Sequence, residues 1–117
     1  MLLFHATLRR NLRSIRRRGI LTSFARGALR AVWLHTRSAA TWAVLHTVRR
    51  HGGRVEDVVI IAVELPRSAL RRSSVRRLWY TLADVRPSQI RSVLAFRAYA
   101  SREGLCDGDD LRHPVSA

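Results

Sequence analysis

Arginine carries most of the chemistry available to this chain: it supplies all 22 of the lysine-plus-arginine total, and lysine is absent. A guanidinium is planar, stays charged and grips phosphate oxygens two at a time through its fork of N–H donors. Only 8 acidic residues oppose these cations, so the formal net charge is +14. A field of that sign draws in polyanions, and several arginines meeting phosphates together give an affinity that falls steeply as salt rises. Nucleic acid is the natural partner. An acidic protein, an anionic membrane surface or solubility alone would use the same charge, and a GC-rich genome raises arginine, alanine and leucine together.

Histidine and tryptophan are the other residues with a choice of roles. His5 closes one short apolar run, able to meet a ligand or simply to bond to backbone at a strand end, and His35 closes another. Trp33 and Trp42 offer electron-rich faces on which a flat ring or a base can stack, with core packing as the alternative. His46, His51 and His113 have no defensible metal-ligand spacing, since His46 and His51 are five apart and zinc would need further ligands, so no metal site is expected. The single cysteine, Cys106, excludes an internal disulfide and a cysteine zinc site. No G-x-S-x-G is present and nothing pairs Cys106 with a histidine, which removes the common nucleophile arrangements. Neither G-x-G-x-x-G nor G-K-[ST] occurs, so a Rossmann dinucleotide site and a P-loop are unsupported.

The elements that must position these side chains follow from periodicity and breakers. Leu2–Phe4 reads as a strand closed by His5, with Thr7 as the N-cap of a helix in which Leu8, Leu12 and Ile15 recur at helical spacing and Gly19 is the stop. Residues 20–30 read as an irregular connection, with a short helical turn available between Phe24 and Leu29. Ala31–His35 has strand character, and Thr36 or Ser38 can cap a helix from about Ala39 to Arg50 that Gly52-Gly53 ends. Val58–Leu65 is a nearly continuous apolar, β-branched run, suited to a strand covered on both faces, and Pro66 closes it. Ser68–Arg72 reads as a short link or helical turn. Trp79–Val85 and Ile90–Arg97 read as two more strands around the Arg86-Pro87-Ser88 turn, and residues 101–117 as a loose tail.

Helices early and strands late make this an α+β pattern in one domain, residues 1–100. With 47% hydrophobic against 26% charged residues, the chain has core material enough to fold. The longest apolar run, Val58–Val63, is far short of the roughly 20 residues that span a bilayer, so no membrane span is expected. The N-terminus has no basic stretch and no A-x-A-like cleavage site, which makes a cytoplasmic protein the expectation.

On this map, Leu3-Phe4-His5-Ala6-Thr7 followed by Leu12, Ile15 and Gly19-Ile20 resembles the first motif of the ADP-ribosyltransferase superfamily. That motif is a strand ending in His-Gly-Thr or His-Gly-Ser, then a helix ending in Gly-Leu or Gly-Ile. Ala31–Thr36 resembles the next strand of the poly(ADP-ribose) polymerase-like branch, which ends in tyrosine, and Ser38–Trp42 resembles its helix entry. Here both aromatics are tryptophan. Ile61–Leu65, Trp79-Tyr80-Thr81 and Val85–Val93 resemble the later strands, the last of them the Pro-x-x-Ile-x-x-Val segment that closes such domains.

The resemblance implies a split, mostly antiparallel sheet with two main helices, and NAD as co-substrate. It puts His5 on a ribose hydroxyl of NAD, Thr7 and His35 beside the cofactor, and the nicotinamide ring between Trp33 and Trp42. A cationic planar ring suits an indole face. Two departures matter. Ala6 replaces the usual glycine, and Thr81 falls where the family carries a catalytic glutamate, so a neutral hydroxyl would stand where a carboxylate stabilises developing positive charge. Two enzymatic expectations follow: mono-ADP-ribosylation with substrate assistance, nucleic acid being the leading acceptor, or transfer of an RNA 2′-phosphate onto NAD, with Arg37 and His35 as phosphate contacts. The alternatives are a catalytically silent domain of this fold that binds nucleic acid or protein through its arginines, and an unrelated basic nucleic-acid-binding protein.

Overall fold

β-Branched residues decide the centre of the fold. In the computed structural model, which describes residues 1–25, 29–75 and 77–96, the run Val58–Glu64 forms strand β3 with every residue buried except half-buried Glu64. Alternate side chains serve opposite faces of a strand. Ile61 and Val63 join a core with Leu3, Ile15, Ile20, Leu34, Trp79 and Val85, whereas Val58, Ile60 and Ala62 join a second core with Phe4, Leu8, Ala40 and Val44. Each fully buried aliphatic side chain contributes about 1.5–3 kcal/mol, so this one strand anchors both layers.

The other strands are β1 (Leu2–Leu8), β2 (Val32–His35), β4 (Arg71–Arg72), β5 (Leu78–Thr81) and β6 (Ile90–Ala95). They form a six-stranded sheet in the order β4-β5-β2-β1-β3-β6, and every pairing is antiparallel. Two helices pack on it: α1 (Leu12–Arg18), which sends Ile15 into the first core, and α2 (Ala40–His51), which sends Ala40 and Val44 into the second. They therefore cover opposite faces. The domain is α+β, as its pattern of elements predicts.

Pairing strength is uneven across the sheet. β1 and β3 are registered at seven positions, from Leu2↔Glu64 to Leu8↔Val58, whereas β1 and β2 share the single pair Phe4↔His35. The sheet is thus two three-stranded halves, β4-β5-β2 and β1-β3-β6, joined at one rung.

Several boundaries differ from the sequence expectation. Thr7 is not a helix cap: it lies buried inside β1, and its hydroxyl accepts a bond from Asn11 Nδ2 at 3.0 Å. Leu8 belongs to the core beside Val58, which keeps the chain extended; a 3-10 turn over Arg9–Asn11 follows, and α1 starts only at Leu12. β5 stops at Thr81, and Val85 returns separately as an isolated bridge to Ile20. Neither Thr36 nor Ser38 caps α2; Thr36 precedes and Ser38 lies within a 3-10 turn over Arg37–Ala39, and their hydroxyls face each other at 3.2 Å. A 3-10 turn spans Thr22–Phe24; the helical turn expected from Phe24 to Leu29 falls mainly on residues 26–28, which lie outside the described residues. So do the tail, residues 101–117, with Cys106 and His113.

Gly19 is required where α1 meets the loop to Ile20. Its φ is +83°, and an added methyl would overlap the carbonyl oxygen of Val85, the atom that accepts the Ile20 N–H at 2.9 Å. Only glycine takes that backbone angle while leaving room for the carbonyl.

Candidate functional site

The site grows from the weak seam between β1 and β2. In an unbroken antiparallel ladder the rung two residues beyond Phe4↔His35 would pair Ala6 with Trp33. No such pair is registered. Instead the His5 side chain reaches across, with Nδ1 2.8 Å from the carbonyl oxygen of Trp33. A carbonyl can only accept, so Nδ1 holds the proton and Nε2 keeps its lone pair. Nε2 has no protein partner among the described residues. Desolvation lowers the His5 pKa below the ordinary histidine value, and the bond to Trp33 only partly offsets it, so the ring is neutral at physiological pH.

Trp33, whose carbonyl is held in this way, keeps its side chain 41% exposed. The register Trp33↔Tyr80 brings the two rings to 5.0 Å between centroids, tilted by 43°. Together they form an aromatic shelf on the β2–β5 half of the seam. Tyr80 was not singled out by sequence reasoning; its signal was its place in the Trp79-Tyr80-Thr81 run, where alternation sends Trp79 into the core and Tyr80 to the other face.

His35 differs from His5 in being only 3% exposed. Its Nδ1 donates to the Thr36 carbonyl at 2.8 Å, and its Nε2 is buried without a hydrogen-bond partner. Burial drives its pKa down to about 4; the Thr36 bond raises it partially, and the neighbouring His5 pushes it down again. The ring lies 6.0 Å from Phe4, and the Arg37 guanidinium sits 5.9 Å from the centroid of the same Phe4 ring. These residues lie along one seam but not on one face: His5 is on the face of its partner Ile61, in the first core, whereas Phe4, His35 and Trp33 are on the opposite face. The buried hydroxyl of Thr41, in the first turn of α2, also has no partner.

The remaining expected residues are engaged elsewhere. Trp42, 36% exposed on α2, stacks on His46 at 4.8 Å and 11°, so each tryptophan has its own ring partner. Partial burial and the charges of Arg50 and Arg49 lower the His46 pKa. Thr81 is the last residue of β5, 3% exposed, opposite Val32 in register, with its hydroxyl accepting the Ala83 N–H at 3.4 Å. Thr7 is buried under Asn11. An open depression of about 410 Å³ lies apart from the seam, lined by Leu8, Arg9, Arg10, Gly52, Gly53 and Asp57.

Chemically, the seam offers a neutral imidazole acceptor, a stacking surface and a guanidinium, and no carboxylate among these residues. No group of three or more histidine, cysteine or carboxylate side chains among the described residues can hold a metal ion, and none of the described helices is long and apolar enough to cross a membrane. No protein-family model matches the chain, and no curated protein matches it.

Proposed function

We propose that the chain is an ADP-ribosyltransferase-like domain that holds NAD at the β1–β2 seam and transfers ADP-ribose, with nucleic acid as the leading acceptor. The observation that carries this is the His5 bridge: Nδ1 is fixed on the Trp33 carbonyl at 2.8 Å, which leaves Nε2 as an oriented acceptor at the seam, while the exposed Trp33 indole stands on the opposite face of the sheet. In the family that the motifs resemble, the corresponding histidine meets a ribose hydroxyl. Nε2, kept unprotonated by desolvation, accepts that hydroxyl proton. The Trp33–Tyr80 shelf offers the flat cationic nicotinamide ring a face. A sheet divided into two antiparallel halves, with one helix on each side, agrees with the split sheet that the resemblance implies.

In the transfer, the bond between the ribose anomeric carbon and the nicotinamide nitrogen breaks with its electron pair leaving on nicotinamide. A nucleophilic acceptor atom then bonds to that carbon and loses its proton. Thr81 gives no negative charge to the cationic stage, so orientation by His5 and assistance from the acceptor's own groups, including phosphate, carry the step. RNA 2′-phosphate transfer onto NAD uses the same pocket, with Arg37 and His35 nearest to the seam.

The burial of Thr81 favours a second reading, in which the domain is catalytically silent and binds nucleic acid or protein through its arginines. Incubation of the full chain with labelled NAD and separate pools of RNA, DNA and protein distinguishes them. The enzymatic proposal predicts label in a nucleic-acid pool, lost in His5→Ala. Unlabelled pools with no nicotinamide released would overturn it.

A further inference from the structure

The most concentrated charge in the molecule lies outside the seam. Arg9, Arg10, Arg13, Arg16, Arg17 and Arg18 fall within ten consecutive residues that contain no acid, and all six are exposed. They occupy the 3-10 turn after β1 and the outward faces of α1, whose Ile15 is its one buried residue. Residues three and four apart on a helix are neighbours, so Arg9, Arg10, Arg13, Arg16 and Arg17 form a continuous ridge. Among the described residues no carboxylate pairs with any of them; the ion pair found there joins the N-terminal ammonium to Glu64. The first turn of α1 has no acidic residue, so Arg9, Arg10 and Arg13 oppose the positive end of the helix dipole; Arg16, Arg17 and Arg18 lie at its negative end, where the helix favours them but they crowd one another. A short helix loaded in this way gains stability from an external polyanion.

We propose that this ridge is where the chain docks the sugar-phosphate backbone of a nucleic acid, sequence-independently. The assignment rests on the nucleic-acid part of the proposal above and gives it a place on the molecule. Three features choose this partner. A seven-residue helix is about 10 Å long, and a duplex presents roughly six phosphates over that length. The apolar side chains of α1, Leu12 and Ile15, turn toward the protein, Ile15 in the core and Leu12 half-buried, which leaves no apolar face to enter a membrane. The exposed face offers only Asn11, Ser14 and arginine, without the aromatic or aliphatic anchors on which protein interfaces depend. Arginine forks on phosphate oxygens need none of these.

The test uses the full chain and a fluorescein-labelled 20-nucleotide RNA, with a 20-base-pair DNA duplex as the second arm, by anisotropy over a salt series. The variant Arg13→Gln/Arg16→Gln/Arg17→Gln removes three ridge charges. Arg49→Gln/Arg50→Gln/Arg54→Gln removes three exposed charges at the far end of α2 and its following turn. Circular dichroism checks that both fold. The ridge variant is expected to lose at least about tenfold in affinity, and its log-affinity against log-salt slope on the duplex to fall by about 2.7, whereas the control changes little. Binding to one arm alone identifies which nucleic acid is used. Equal losses in both variants would overturn the assignment of the ridge. The absence of binding to either probe, or preferential binding to phosphatidylserine vesicles or poly-glutamate, would overturn the nucleic-acid partner itself. Nicotinamide release without any nucleic acid, measured on the same ridge variant, reports on the seam independently.

Discussion

Replacing His35 by phenylalanine isolates the titration of one buried ring. His35 is 3% exposed, and its pKa lies at about 4 against an ordinary 6.5. Between those values the unfolded chain binds a proton at this ring and the folded chain does not, so stability falls as pH falls through the window. Above pH 6.5 both states are neutral and no difference remains. At pH 4.5 the loss works out at about 2.5 kcal/mol relative to pH 7. In His35→Phe this loss disappears. The Thr36 carbonyl keeps the Ala39 N–H at 3.1 Å, and the unpartnered Nε2 is gone, so the neutral-pH effect stays within about 1 kcal/mol. Urea unfolding of both proteins at pH 7 and 4.5 measures the difference, in which the carboxylates and the histidines other than His5, whose charge is coupled to His35, cancel. The variant becomes the more stable protein at pH 4.5. A wild type and variant that lose equal stability on acidification would refute the reasoning.

Two other perturbations test the frame around the seam. Gly19→Ala places a methyl on the Val85 carbonyl at a φ that alanine resists, so it breaks the Ile20–Val85 bridge and costs at least about 3 kcal/mol, readable as a fall in Tm. Asp84→Ala removes the carboxylate oxygen that accepts from both the Thr22 N–H, at 2.8 Å, and the Thr22 hydroxyl, at 2.9 Å. A loss of about 1–2 kcal/mol is expected, with faster hydrogen exchange at the Thr22 amide and none of that acceleration in β3.

Legibility in the sequence followed the strength of the local signal. β3 and α2 were plain, because a β-branched run buried on both faces and a helical stripe ended by Gly52-Gly53 leave little choice. β4 was not. Two arginines on an edge strand carry no hydrophobic pattern, and they become a strand only because β5 offers them partners at Tyr80 and Trp79. Thr7 was misread because a threonine before a helix is a common cap, yet the β1–β3 ladder extends to Leu8↔Val58 and holds it extended. At the seam, His5 and Trp33 were identifiable by type and order. Their bond was not, since it exists only because β1 and β2 share one rung, a property of register. The burial of His35 follows from its pairing with Phe4, and the position of Thr81 at the end of β5 follows from where that strand stops; neither is written in composition or spacing.

Calorimetric titration of NAD into the full chain at low salt tests the pocket at the seam most directly. Saturable one-to-one binding is predicted, abolished in His5→Ala and weakened in Trp33→Ala, with Tm confirming that both variants fold. No binding heat at millimolar NAD, or binding unchanged in both variants, would contradict the assignment.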